Sequence, residues 1–266
     1  MLRSRNLKYT GTPELSRRST QGITLTMGQL IPEVSPIGLR ITMWVLLPLW
    51  MLWVGMSLIH DDRLAAAATM ENGLFQNLTV CGYGLAALLL VLAAIPLVHR
   101  DSTSRLRPWW LLSLAVGCVV VAGEEVNWGQ TFLHYSTPNW LEGANIQQEF
   151  SLHNLRLPGS LSGKHWANEL LWWLAVLGGI ILPLALMYSE RFRRLAWIME
   201  LPIPPRLTQM YCLAGVVIPR DGLLIGRLSR DNIASELREV TIAVAIAVWA
   251  WSLWQRQDRS RLPDHP

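Results

Sequence analysis

The stretch Gly123-Glu124-Glu125-Val126-Asn127-Trp128-Gly129-Gln130 puts two adjacent carboxylates at the end of an apolar run that begins at Trp109. Such a run carries a helix most of the way across a bilayer. An ionised carboxylate facing lipid costs at least ~2.5–3.5 kcal/mol on insertion scales. Glu124 and Glu125 are therefore expected to face protein, water or a cation. The pattern predicts an all-α integral membrane protein with a polar site near one membrane face.

Composition agrees. Mean hydropathy is +0.27, and 16% of the 266 residues are charged, against roughly a quarter in soluble domains. Windows of about 20 apolar residues predict six transmembrane helices near 41–59, 78–98, 109–130, 168–188, 205–219 and 237–254. The fifth is short and follows Pro204-Pro205, with Leu195 to Leu201 expected along the interface. The domain reading is a basic tail over 1–40, a six-helix unit over 41–254 that includes an outer loop at 131–167, and a second tail over 255–266. Residues 1–40 have no sustained period and read as a cytoplasmic tail, or as sequence ahead of a start at Met27.

Six spans sort the arginines. Arg3, Arg5, Lys8, Arg17, Arg18, Arg40, Arg100, Arg105, Arg107, Arg191, Arg193, Arg194, Arg206, Arg256, Arg259 and Arg261 fall on one side; Arg63, Arg156, Lys164, Arg220, Arg227, Arg230 and Arg238 fall on the other, the last four running against the overall bias. By the positive-inside rule this predicts both termini in the cytoplasm of a bacterial inner membrane. The net charge of +4 is then mostly topology. The basic segments lack the patterning of a nucleic-acid module, so the expected partners are the lipid bilayer and other membrane subunits. Cys81, Cys118 and Cys212 lie within spans and predict no disulfide framework.

The second polar concentration is Asn145-Ile146-Gln147-Gln148-Glu149-Phe150-Ser151-Leu152-His153-Asn154-Leu155. As a short interfacial helix it would put Asn145, Glu149 and His153 on one face. Glu124 and Glu125 lie ~22 Å along span three at 1.5 Å per residue, on the same side. Glu169 at the start of span four, and Glu236 and Glu239 at the start of span six, join them there. Carboxylates with an imidazole suit one divalent ion such as zinc, manganese or iron. The expected ligands are Glu125, Glu149 and His153, with Glu124 and Glu125 as acid/base groups and Gln130, Gln147, Asn154 and Glu239 in support. Metal-free general acid catalysis by the paired carboxylates is the other chemistry. Structural ion pairs to Arg156, Lys164 or Arg238 are the bland reading of the same residues.

The blocks Glu124-Glu125-Val126-Asn127-Trp128-Gly129-Gln130, Asn145-Ile146-Gln147-Gln148-Glu149 and Leu152-His153-Asn154 resemble a pattern of uncharacterised bacterial multi-pass membrane proteins. That pattern reads Glu-Glu-(Ile/Val)-x-Trp-Gly-Gln, then Asn-(Ile/Val)-Gln-x-Glu, then Leu-His-Asn. The resemblance implies a bacterial setting and favours Glu124, Glu125, Gln147, Glu149, His153 and Asn154, without implying a reaction. The leading expectation is a membrane-embedded enzyme acting on a lipid or lipid-linked substrate at the outer face. Its rivals are an accessory subunit that binds lipid, pigment or cofactor in a larger complex, and a proton-linked transporter.

Overall fold

The computed structural model describes residues 62–70, 73–99, 105–156, 163–217 and 233–259. The expected span 41–59 and most of both tails lie outside these residues. The described helices are α1 (Asp62–Thr69), α2 (Leu74–His99), α3 (Arg107–Glu125), α4 (Gln130–Leu133), α5 (Asn139–Glu142), α6 (Gly163–Val176), α7 (Leu182–Tyr188), α8 (Glu190–Ile198), α9 (Arg206–Val217) and α10 (Ile233–Arg259). No strand forms among the described residues, and the chain is all-α.

Four rods among the described residues are long and apolar enough to cross a membrane: α2, α3, the α6–α7 rod and α10. A π turn, Leu177–Ile181, joins α6 to α7. Pro183 stands two residues past its end; proline has no N–H to give the preceding turn, and a wider turn accommodates that loss. Within the described residues the expected span 205–219 is represented by α9, whose 12 residues reach ~18 Å at 1.5 Å each. That is short of the ~30 Å hydrocarbon core.

α2 makes its most extensive contacts with α10 and α3. Phe75 packs with Ala234 and Val240 at one end, and Gly82 meets Ala243 a turn or two further on. α2 and α10 therefore run parallel, and α3 returns antiparallel along α2. The seam is built from small side chains, with Ala86, Ala93, Ala94, Ala243 and Ala250 all fully buried. Lipid tails are as apolar as leucine, so close packing of small residues is what holds such rods together. Leu85, Leu88 and Ile95 of α2, and Val116 and Val119 of α3, point outward, as side chains that meet lipid must.

Two ends result. The first gathers the starts of α2, α6 and α10 and the end of α3. The second gathers the end of α2, the start of α3, α8 and the end of α10, with their arginines. At this second end the Glu200 carboxylate closes the N-terminus of α3. Arg105 N donates to Oε1 at 3.1 Å, and Leu106 N and Arg107 N donate to Oε2 at 2.9 and 2.8 Å. These backbone donors have no partner inside the helix, and the helix dipole favours an anion there. Trp110 Nε1 donates to Met199 O at 2.8 Å beside it.

Span three ends earlier than its hydropathy predicts. The α-helix stops at Glu125, and Asn127, Trp128 and Gly129 turn the chain with φ of 48°, 54° and 83°. A side chain just downstream holds the break: Tyr135 OH donates to the carbonyls of Asn127 and Trp128, both at 3.2 Å.

Candidate functional site

The segment 143–156 is not the helix its i, i+4 spacing suggests. It folds back on itself in a short antiparallel bridge between Asn145 and Leu155, with Ile146 N donating to Asn154 O and Arg156 N to Ala144 O, both at 2.8 Å. Asn145 causes this. Its Nδ2 donates to Glu149 O at 2.8 Å and Ser151 O at 2.7 Å, and its Oδ1 accepts from Gln147 N at 2.9 Å. A buried asparagine that satisfies three backbone groups outcompetes the helix ladder. Asn145, Glu149 and His153 therefore share no helical face.

The fold-back is fastened to the end of α3. Glu124 Oε2 accepts from Leu152 N at 2.6 Å and His153 N at 2.9 Å, and lies 3.3 Å from His153 Nδ1. Its Oε1 accepts from Trp128 Nε1 at 2.6 Å. Four N–H donors on two oxygens match an acceptor-only carboxylate. Gln130 fastens the loop from below: Nε2 donates to Tyr135 O at 3.1 Å and Thr137 Oγ1 at 2.9 Å, while Oε1 accepts from Phe150 N at 2.6 Å. Gly163 lets the start of α6 lie against this loop, since a Cβ there would fall 2.5 Å from Leu152 O.

Beneath the loop is a cavity of about 480 Å³, lined by five carboxylates: Glu124, Glu125, Glu149, Glu236 and Glu239. Gln147, His153, Asn154, Gln76 and Asn168 add to its polar lining, and Val120, Val121, Leu170, Leu171 and Leu174 form an apolar wall. Asn154 Nδ2 donates to Gln147 Oε1 and, at 3.3 Å, to Glu149 Oε2. Gln76 Nε2 donates to Glu125 O. On α10, Ser235 Oγ donates to Glu239 Oε1 at 3.2 Å and accepts from Arg238 Nη2 at 3.3 Å and Asn168 Nδ2 at 3.4 Å. Arg238 thus supplies a buried positive charge beside the acidic lining.

Eight of the residues expected at the site line this cavity: Glu124, Glu125, Gln147, Glu149, His153, Asn154, Glu236 and Glu239. Gln130 does not; it holds the loop. Glu169 does not either, and its neighbour Asn168 lines the cavity instead. Gln76 was not foreseen. It precedes the predicted second span, and a lone amide at a helix start carries little signal in a sequence. Among the described residues, no three His, Cys, Asp or Glu side chains form a ready metal shell. His153 turns Nδ1 to Glu124, not to Glu125 or Glu149. No family model, characterised protein or solved structure matches the chain.

The pairing of Glu124 with His153 has a chemical consequence. A carboxylate on Nδ1 sets the tautomer and aims the ring, leaving Nε2 for a proton or a metal. The apolar wall matters equally: Val120, Leu170 and Leu174 are exposed side chains of membrane-length rods as well as cavity lining. The cavity wall is therefore continuous with the surface of the bundle that faces lipid.

Proposed function

We propose that the protein is a membrane-embedded enzyme acting on a lipid or lipid-linked substrate, with its cavity at the outer face of a bacterial inner membrane. Six spans with both termini cytoplasmic fit this reading, because the arginine-rich end then obeys the positive-inside rule. The observation that carries it is the Glu124–His153 pair at a carboxylate-lined cavity whose apolar wall continues onto the lipid-facing surface. A substrate entering sideways from the bilayer keeps its chains on Leu170 and Leu174 while its polar group meets His153.

In this reading His153 Nε2 is the general base, Glu125 and Glu149 are the acid or the cation ligands, and Glu124 orients His153 instead of exchanging protons itself. Positioned acid–base groups contribute typically 10²–10⁴-fold. A divalent ion (zinc, manganese or iron) belongs to the proposal as an added element. Glu125, Glu149 and His153 Nε2 would hold it, drawing closer than they stand; His153 would then serve as ligand in place of base, and the base role would pass to a cavity carboxylate. Such an ion supplies a polarised water.

The test is lipid mass spectrometry on full-length protein reconstituted with a bacterial polar lipid extract, alongside elemental analysis. Wild type should generate a new lipid species, slowed about 100-fold or more in His153→Ala and strongly in Glu125→Gln. Unchanged lipids with folded, metal-free wild type would sink the enzyme reading.

The accessory-subunit reading draws on a separate observation. α3 and the α6–α7 rod bury far less of their apolar surface than α10 does, which suits docking against partner helices in a complex that binds lipid, pigment or cofactor. Stoichiometric copurifying subunits would favour it. Proton-linked transport draws least support, since the cavity's carboxylates gather at one end.

A further inference from the structure

The arginine-rich end contains buried positive charge without matching acceptors. Arg107 is the first residue of α3, and Arg256 lies in the last turn of α10. Both helices pack on the same end of α2, which brings the two like charges to one end of the bundle. Arg107 Nε and Arg256 Nε and Nη2 are buried and have no hydrogen-bond partner. Trp249 Nε1, two turns earlier on the Arg256 face of α10, is a further buried donor without one. Buried donors are nearly always satisfied, and a buried charge is costly unless paired.

Glu200 does not resolve this. It stands beside Arg107, but its oxygens accept the three backbone N–H groups at the start of α3. Among the described residues, Glu200 is the carboxylate that stands beside this pair of guanidiniums. A phosphodiester carries one negative charge, and its oxygens match the planar fork of arginine. Leu106 and Trp109, on either side of Arg107, are exposed and offer an apolar flank next to the charge, as acyl chains require and a free ion does not.

We propose that Arg107 and Arg256 form a binding site for the phosphodiester of an anionic lipid headgroup, at the opposite end of the molecule from the acidic cavity. The ligand secures the joint between α3 and α10, across α2, that these arginines would otherwise strain by repulsion. The site is independent of whatever chemistry the cavity performs.

The experiment uses full-length detergent-purified protein with phosphatidylglycerol, phosphatidylcholine or inorganic phosphate, reading thermal unfolding and lipid retained in native mass spectrometry. Phosphatidylglycerol should raise the unfolding midpoint and be retained. Phosphatidylcholine, which brings its own ammonium to the arginines, should do neither. Arg107→Gln and Arg256→Gln should lose both effects, while Arg191→Gln and Arg194→Gln, exposed at the same end, should keep them. Should the glutamine variants fail to fold, Arg256→Lys keeps the charge without the fork and should lose most of the retained lipid. An equal shift from inorganic phosphate would support the phosphate site and assign it to the free ion. Undiminished phosphatidylglycerol retention in folded Arg107→Gln and Arg256→Gln, or in folded Arg256→Lys, overturns the proposal.

Discussion

Glu124 does most to shape the cavity, and it does so by accepting hydrogen bonds. Glu124→Gln keeps the size but turns one acceptor oxygen into a donor, facing N–H groups of Leu152, His153 and Trp128. The expected cost is about 0.5–1.5 kcal/mol for each bond lost at this partly exposed junction. It should appear as faster limited proteolysis within 145–155 and a lower unfolding temperature. Gln130→Ala removes three bonds from the same loop without touching the cavity wall. It should therefore loosen the loop to proteolysis with a smaller effect on any ligand affinity than His153→Ala. Side-chain chemistry at these positions was legible in part. Adjacent carboxylates in an apolar run announce a polar site, whereas nothing in the residue string says that Glu124 would serve the loop and leave Glu125 to the cavity.

Among the helices, the seam between α2 and α10 offers a controlled comparison two residues apart. A Cβ on Gly82 would stand 3.0 Å from Ala243 Cβ, and one on Gly84 would meet nothing within 4 Å. Gly82→Leu should destabilise the bundle by about 1–3 kcal/mol through overpacking; Gly84→Leu should leave it unchanged. Unfolding in detergent, followed by tryptophan fluorescence, separates the two. Rod-length elements were the most legible part of the fold: 78–98, 168–188 and 237–254 all fall within α2, the α6–α7 rod and α10. Hydropathy reports length and burial in lipid, and these rods depend on little else. The end of α3 and the shape of 143–156 escaped it because single polar side chains nearby in the sequence decide both. Tyr135 holds the left-handed turn after Glu125, and Asn145 trades helical bonds for loop bonds. Hydrophobic periodicity does not record such side-chain bonds.

For the molecule as a whole, span parity already brought Glu124, Glu125, Glu149, Glu236 and Glu239 to one end, where the cavity collects them. Which end faces outward is open to direct labelling. In a variant otherwise free of cysteine, Gly143→Cys, exposed in the loop, should react with a membrane-impermeant maleimide on intact cells. Arg194→Cys should react only after permeabilisation. The reverse pattern would invert the topology. The parallel pairing of α2 with α10 also sets a timetable. Tyr83, on the buried face of α2, belongs to one of the earlier rods to be synthesised, yet it packs with residues of α10, made much later. Throughout translation that polar-bearing face waits in the bilayer for a helix still inside the ribosome. A chain terminated before Ile233 should insert normally and then be destroyed by membrane quality control, so that even late nonsense lesions abolish the protein.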